Sequence, residues 1–215
     1  GYDTGSWTSF PADESNYKFL ARLDWNITDK HKLALRYNYT KDNAWNPVNR
    51  SSMDGGTASS YDRMGQFSMS FANSMYAMER NVHSFSFDLN SRITENLSNQ
   101  FLATYSKIQD PVRKSDSAEF PFIDILDGEG QNYMALGYEL FTWNNSVNNT
   151  VWNAKDDVTY YMGKHKLTGG VSFEHQMADN QYMRNGTGYY RYDTLEDFLT
   201  GAAPHIVNLT YGYGI

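Results

Sequence analysis

The sequence predicts an all-β fold: a segment of an antiparallel transmembrane β-barrel, with about six long strands in three hairpins, short periplasmic turns and long extracellular loops. Three observations carry this expectation. First, alternating apolar and polar residues run three times into a short polar turn and out into a second alternating stretch. A period of two puts neighbouring side chains on opposite faces, so each stretch must lie between two opposed environments. Second, the turns recur at even intervals, 65 residues from Asp29 to Thr94 and 69 from Thr94 to Gly163. Third, 17 Tyr, 12 Phe and 5 Trp make the chain 16% aromatic, which suits a barrel with two interfacial girdles.

In the first hairpin, approximately residues 16–41, Tyr17, Phe19, Ala21, Leu23, Trp25 and Ile27 alternate with Lys18, Arg22, Asp24, Asn26 and Thr28, Leu20 being the exception. The turn Asp29-Lys30-His31 leads to Leu33, Leu35, Tyr37 and Tyr39 on one face and Lys32, Arg36, Asn38 and Thr40 on the other. In the second, approximately residues 80–108, His83, Phe85, Phe87, Leu89 and Ile93 oppose Ser84, Ser86, Asp88, Asn90 and Arg92. After Thr94-Glu95-Asn96 it returns through Leu97, Phe101, Ala103 and Tyr105. The third, approximately residues 150–177, carries Trp152, Ala154, Val158, Tyr160 and Met162, with Asp156 interrupting the apolar face. It turns at Gly163-Lys164-His165 and returns through Leu167, Gly169, Val171 and Phe173. Strands of about 9 to 13 residues exceed the soluble mode of about 5 to 6 and suit a tilted bilayer crossing. Trp25, Tyr37, Tyr39, Tyr105, Tyr160 and Tyr161 lie towards strand ends, where amphipathic rings sit at headgroups.

Composition narrows the function. The chain of 215 residues is 40% hydrophobic and 20% charged, with no apolar run long enough for a helical span. Its mean hydropathy of −0.66 is no objection, because a barrel shows lipid only half of each strand. Absence of Cys removes disulfide scaffolds, thiolate zinc sites and cysteine nucleophiles. A net charge of −7 and a pI near 5.1 speak against nucleic acid as a partner. There is no Gly-x-Ser-x-Gly elbow, Walker A loop or dinucleotide fingerprint, so no enzyme and no cofactor is expected. The first residues read as a polar loop with no signal peptide, and the last as another loop without a terminal aromatic strand. An internal piece of a longer barrel is therefore the expectation.

The connections at approximately 41–80, 108–149 and 177–215 belong outside the cell, since outer-membrane barrels keep their turns short on the periplasmic rim. They are rich in Gly, Asn, Ser and aromatics. Trp45, Tyr61, Tyr133, Trp143, Tyr182 and Tyr189 are the candidate substrate-binding residues, their ring faces suited to sugars or flat ligands; the ordinary alternative is packing within the loops. Asp124, Asp127 and Glu129 stand in a glycine-rich turn where a hard cation such as calcium can settle, though not at EF-hand spacing. A solvated acidic loop is the alternative. The five His show no metal-ligand pairing. Thr194 to Leu199 reads as a short capped helix closed by Gly201 and Pro204. Arg22, Asp24, Arg36, Asp88, Arg92 and Glu174 fall on polar faces that would line a water-filled lumen.

Four segments carry a family resemblance: the hairpin Arg22 to Leu33, the stretch Phe120-Pro121-Phe122-Ile123-Asp124-Ile125, the hairpin Gly163 to Gly170, and Asp197-Phe198-Leu199-Thr200-Gly201. Together they resemble the barrel of TonB-dependent outer-membrane receptors, in particular the Oar-like group of Bacteroidetes type. The resemblance implies a bacterial outer-membrane location and import of a large or scarce nutrient, driven by TonB. It also implies a plug and TonB box, neither present in this chain, with outer-membrane lipid, the TonB complex, an unidentified ligand and a surface lipoprotein as partners. The alternatives are a passive outer-membrane barrel or surface adhesin, a soluble extracellular β-sandwich module, and, with no residues to nominate, a barrel enzyme.

Overall fold

The structure is a computed structural model that describes residues 1–50, 62–115 and 117–212. Its long strands are β1 (Glu14–Asn26), β2 (His31–Asn46), β4 (Tyr76–Arg92), β5 (Leu97–Lys114), β8 (Ser146–Met162) and β9 (His165–Gln181). Its short elements are β3 (Met69–Ser70), β6 (Phe122–Leu126), β7 (Asn132–Leu136), β10 (Tyr189–Tyr192), helix α1 (Leu195–Thr200) and β11 (Ile206–Asn208). No helix among the described residues is long and apolar enough to cross a membrane.

The long strands make one six-stranded antiparallel sheet in the order β1-β2-β4-β5-β8-β9. Its register carries the period of two across the whole width. Leu23, Leu35, Phe87, Ala103, Ala154 and Phe173 stand in one row, and Trp25, Leu33, Leu89, Phe101, Asp156 and Val171 in the next. On the opposite face Arg22, Arg36, Ser86, Thr104, Asn153 and Glu174 form a polar row. The apolar face is not buried: Phe173 is 63% and Val171 74% exposed. A sheet that turns its large apolar side chains outward is stable only where the surroundings are themselves apolar. Asp156, the exception on that face, accepts a hydrogen bond from Asn99 Nδ2 at 2.6 Å. Tyr161, expected at a headgroup level, instead lies opposite Lys166 on the polar face and takes its ammonium over the ring at 5.8 Å.

The strands run further than the alternation predicts, with 17 residues in each of β4, β8 and β9 and 18 in β5. At about 3.3 Å per residue, 17 residues reach about 56 Å, whereas a tilted path across about 30 Å of hydrocarbon needs roughly 40 Å. The surplus lies at the end away from the tight turns, where both faces are wet and the alternation fades. Irregularities between Glu79 and Asn81 and between Gln109 and Val112 mark that level. Pro111, which has no N–H to offer the ladder, sits in the second.

Above the long strands the three loops form a second sheet, which the sequence did not lead us to expect, in the order β11-β10-β6-β7-β3. Strand β6 of the second loop runs parallel to β10 of the third, and β3 of the first runs parallel to β7. Most of the deeply buried apolar residues are here, with Val48, Phe122, Ala135, Leu140 and Tyr189 on one side and Ile123, Ile125 and Leu136 on the other. Gly137 makes this packing possible: its φ is +97°, and a Cβ there would run into the Pro121 carbonyl. Helix α1 forms as its caps predict, Thr194 Oγ1 accepting from Asp197 N at 3.1 Å and Gly201 closing it at φ +72°.

Candidate functional site

Two regions carry the chemistry: the polar face of the long sheet and the cap formed by the short strands. On the polar face Arg22 Nε and Nη2 donate to Asp24 at 2.7 and 2.8 Å, a pair along one strand rather than across two. Arg36 stands directly opposite Arg22, and Asp88 lies one row lower on β4. Towards the tight turns the same face opens into a groove of about 590 Å³ with Lys30, Lys32, Arg92 and Lys166 in its wall against Asp29 and Asp157. This end of the face is polar and carries more cationic than acidic side chains. Glu174 accepts from Asn153 Nδ2 at 3.4 Å.

The cap is held by a buried polar cluster that no local sequence signal announces. Arg63 donates through Nε and Nη2 to the two carboxylate oxygens of Asp124 at 2.8 and 2.6 Å, and Tyr189 Oη donates to Asp124 Oδ2 at 2.9 Å. Burial works against the Arg63 charge, but the Asp124 carboxylate more than offsets it, so the guanidinium is held above its usual range. Burial first, and the Asp124 charge second, push the Tyr189 hydroxyl well above its ordinary value. Nearby, Glu139 is buried with Oε2 accepting from Thr142 Oγ1 at 2.7 Å and Phe141 N at 2.9 Å, while Arg113 Nη1 lies 3.7 Å away.

These contacts sort the sequence candidates. Tyr189 is fully buried and bonded to Asp124, so it packs the cap and offers no ring face to a ligand. Trp143 lies flat on Gly186 and donates its Nε1–H to Glu119 at 3.1 Å. Trp45 sits half-buried at the upper end of β2, opposite Ala77. Tyr133 and Tyr182 remain exposed, Tyr182 stacked on Phe141 at 6.4 Å. Tyr61 lies outside the described residues. Among the described residues these rings are not gathered into one site.

The calcium expectation is corrected. Asp124 is consumed by Arg63, and Asp127 Oδ1 folds its own turn by accepting from Glu129 N at 2.8 Å and Gln131 N at 3.0 Å. Those two backbone donors hold the Asp127 carboxyl below its usual range. Among the described residues no three His, Cys, Asp or Glu side chains converge on a metal position.

What the cap does offer is an apolar pocket of about 380 Å³ between Tyr2, Phe71, Phe120, Met134, Phe198 and Leu199. Leu199 is 72% exposed at its rim, and Tyr2 stacks on Phe120 at 4.0 Å. Sequence reading named the Phe120 stretch and the helix but not their meeting. The run Phe122 to Leu126 between Pro121 and Asp127-Gly128 has the punctuation of a short buried strand, a signal sufficient to find β6.

The apolar outer face, the polar inner face and the long strands describe a sheet built for lipid on one side and water on the other. A family model described as an outer membrane beta barrel domain matches residues 3–213. The chain belongs to that family. No curated protein and no solved structure matches it. As an outer membrane barrel domain it resides in the outer membrane, its apolar rows facing lipid and its Arg22 to Glu174 row facing the lumen. In the described residues the sheet is open, with β1 and β9 at its edges.

Proposed function

We propose that this barrel domain is part of a TonB-dependent transporter that imports a bulky nutrient, with no chemistry performed on the cargo. The observation that supports it most is the cap: three long loops tied into one sheet, with an apolar pocket and exposed aromatic rings, over a charged and hydrated wall. A folded entrance of this kind suits recognition of a cargo at the mouth of the barrel. The hairpins and loop helix that resemble Oar-like receptors point the same way, and in such receptors a plug and TonB box precede the barrel. Tyr133 and Tyr182 are the candidate aromatics placed to touch incoming ligand, since both are exposed on the cap.

The test is retention of the full-length protein. Detergent-solubilised outer membranes are passed over the immobilised periplasmic domain of TonB from the same organism. Retention that is lost when the N-terminal segment before the barrel is deleted supports energised import. A full-length protein that flows through, or a reading frame without a plug-sized domain, replaces it with a passive barrel or adhesin.

A further inference from the structure

The lipid-facing side of the sheet is not uniform. Ala103 and Ala154 are direct cross-strand partners, flanked in their row by Phe87 and Phe173, and the next row towards the cap is walled by Tyr105 and Trp152. Two methyl groups among large rings leave a groove of about 490 Å³, lined almost wholly by apolar atoms. Here Tyr105 and Trp152 hold each other at 4.4 Å between ring centroids and form the wall of the groove on the cap side.

The ends of the groove differ in charge. Two residues above Tyr105, Lys107 projects from the same face between His83 and Thr150 in the register. Its ammonium is exposed and has no hydrogen bond or ion pair among the described residues. His175 stands beside Trp152, and His83 is held by the Tyr37 hydroxyl at 2.9 Å. The nearest acid at that level of the outer face is Asp179, one row higher and on β9 rather than β5. Below the alanines comes Asp156. An anion on this face is therefore favoured at the cap end and disfavoured at the turn end. The Lys107 row is also where the face changes from apolar to polar, because the row above reads Tyr17, Lys41, Asn81, Gln109, Asn148 and Asp179. Lys107 thus lies at a headgroup level, and the alanine floor, about 13 Å further along the strands at four residues of rise, lies among acyl chains.

We propose that this groove is a specific seat for one acyl lipid of the outer leaflet, its phosphate held by Lys107 with Thr150 and His175, and a fatty chain laid over Ala103 and Ala154. Charge complementarity selects a phosphate-bearing headgroup, and the depth of the floor below Lys107 selects a lipid over free phosphate. The proposal rests on the outer-membrane location with the cap facing outward, and stands whether or not import is energised.

The test uses the full-length barrel purified from outer membranes in a non-ionic detergent, assaying only the fraction that migrates as folded barrel. Bound lipid is read by native mass spectrometry during titration with lipid A, and separately with phosphatidylcholine and with inorganic phosphate as competitor. The expected result is one lipid A retained per barrel, unaffected by inorganic phosphate. Lys107→Gln weakens it roughly fivefold, the effect of one lysine near an anionic surface. Ala154→Phe removes it by filling the floor while leaving Lys107 in place. Lys41→Gln, one row above, leaves retention unchanged. Equal retention by Lys107→Gln and Ala154→Phe, equal binding of phosphatidylcholine, displacement by inorganic phosphate, or a second barrel in place of the lipid would each overturn the proposal.

Discussion

Arg63 and Asp124, 61 residues apart, meet through two parallel hydrogen bonds at 2.8 and 2.6 Å with both side chains withdrawn from water. The pair joins the first loop to the second, and the Tyr189 hydroxyl joins the third. Removing one partner strands the other charge in the cap. Arg63→Met should cost the cap about 3 to 5 kcal/mol, whereas the double change Arg63→Met, Asp124→Leu should recover much of it. Hydrogen exchange on the full-length barrel reads this: amides of β6 and β10 should lose protection while those of β4 and β5 keep theirs.

The register assigns the two faces residue by residue. Leu35→Arg places a guanidinium against lipid and should cost about 2 to 4 kcal/mol of barrel stability in vesicles. Ser86→Arg, one strand away on the lumenal face, should shift stability by no more than about 0.5 kcal/mol. Urea unfolding of the reconstituted full-length barrel ranks the two, and the opposite ranking would exchange the faces.

Glu139 gives the cap a pH dependence. Burial lifts its carboxyl above the ordinary value of 4.5, outweighing the bonds from Thr142 and Phe141 and the nearby Arg113 charge. The folded cap therefore keeps a proton that the unfolded loop has released. Its stability is greatest below the ordinary carboxylate range and falls as pH rises towards the elevated folded value. Opening of the 137–145 segment, followed by hydrogen exchange from pH 4 to pH 8 with intrinsic rates removed, should become easier with pH over roughly this range. Glu139→Gln should flatten the profile.

Gly137 is the tightest backbone approach in the cap. With φ at +97° and Phe122 Cα only 3.0 Å from where a Cβ would stand, Gly137→Ala meets both conformational strain and a clash with backbone that cannot swing aside. A loss of at least about 2 kcal/mol is expected. Limited proteolysis should cut the variant between β6 and β7 faster than the native barrel, with the long strands unaffected.

The hairpins were legible because lipid on one side and water on the other impose a strict period of two, and Asp29, Thr94 and Gly163 punctuate it. Their upper ends were not: β2 continues to Asn46, beyond the level where Tyr39 ends the apolar alternation, because above the membrane both faces meet water. Helix α1 was legible because its caps, Thr194 and Gly201, are local. The cap sheet was hidden for the opposite reason. Its strands hold two to five residues, and although β6 pairs with β7 and β10 with β11 inside single loops, the sheet is completed by the parallel pairs β6–β10 and β3–β7 between loops, which no window of sequence contains. Arg63 belongs to no pattern at all. Of the aromatic candidates, Tyr189 stands next to a second tyrosine, Tyr190, with nothing in the sequence to tell their roles apart, and only its contact with Asp124 reveals a structural duty.

The parallel pairing of β6 with β10 also sets an order of events during assembly. Each long hairpin closes across a short turn and can zip as soon as its own two strands are present, whereas the cap must bring together Arg63, Asp124 and Tyr189 across separations of 61 and 65 residues. Loop closure over such spans costs entropy before any contact returns it. The cap sheet therefore consolidates after three hairpins already lie side by side in register, and a strand slipped by two residues would carry its loop about 7 Å out of reach. Closure of the cap thus reports that the wall beneath it has been laid correctly.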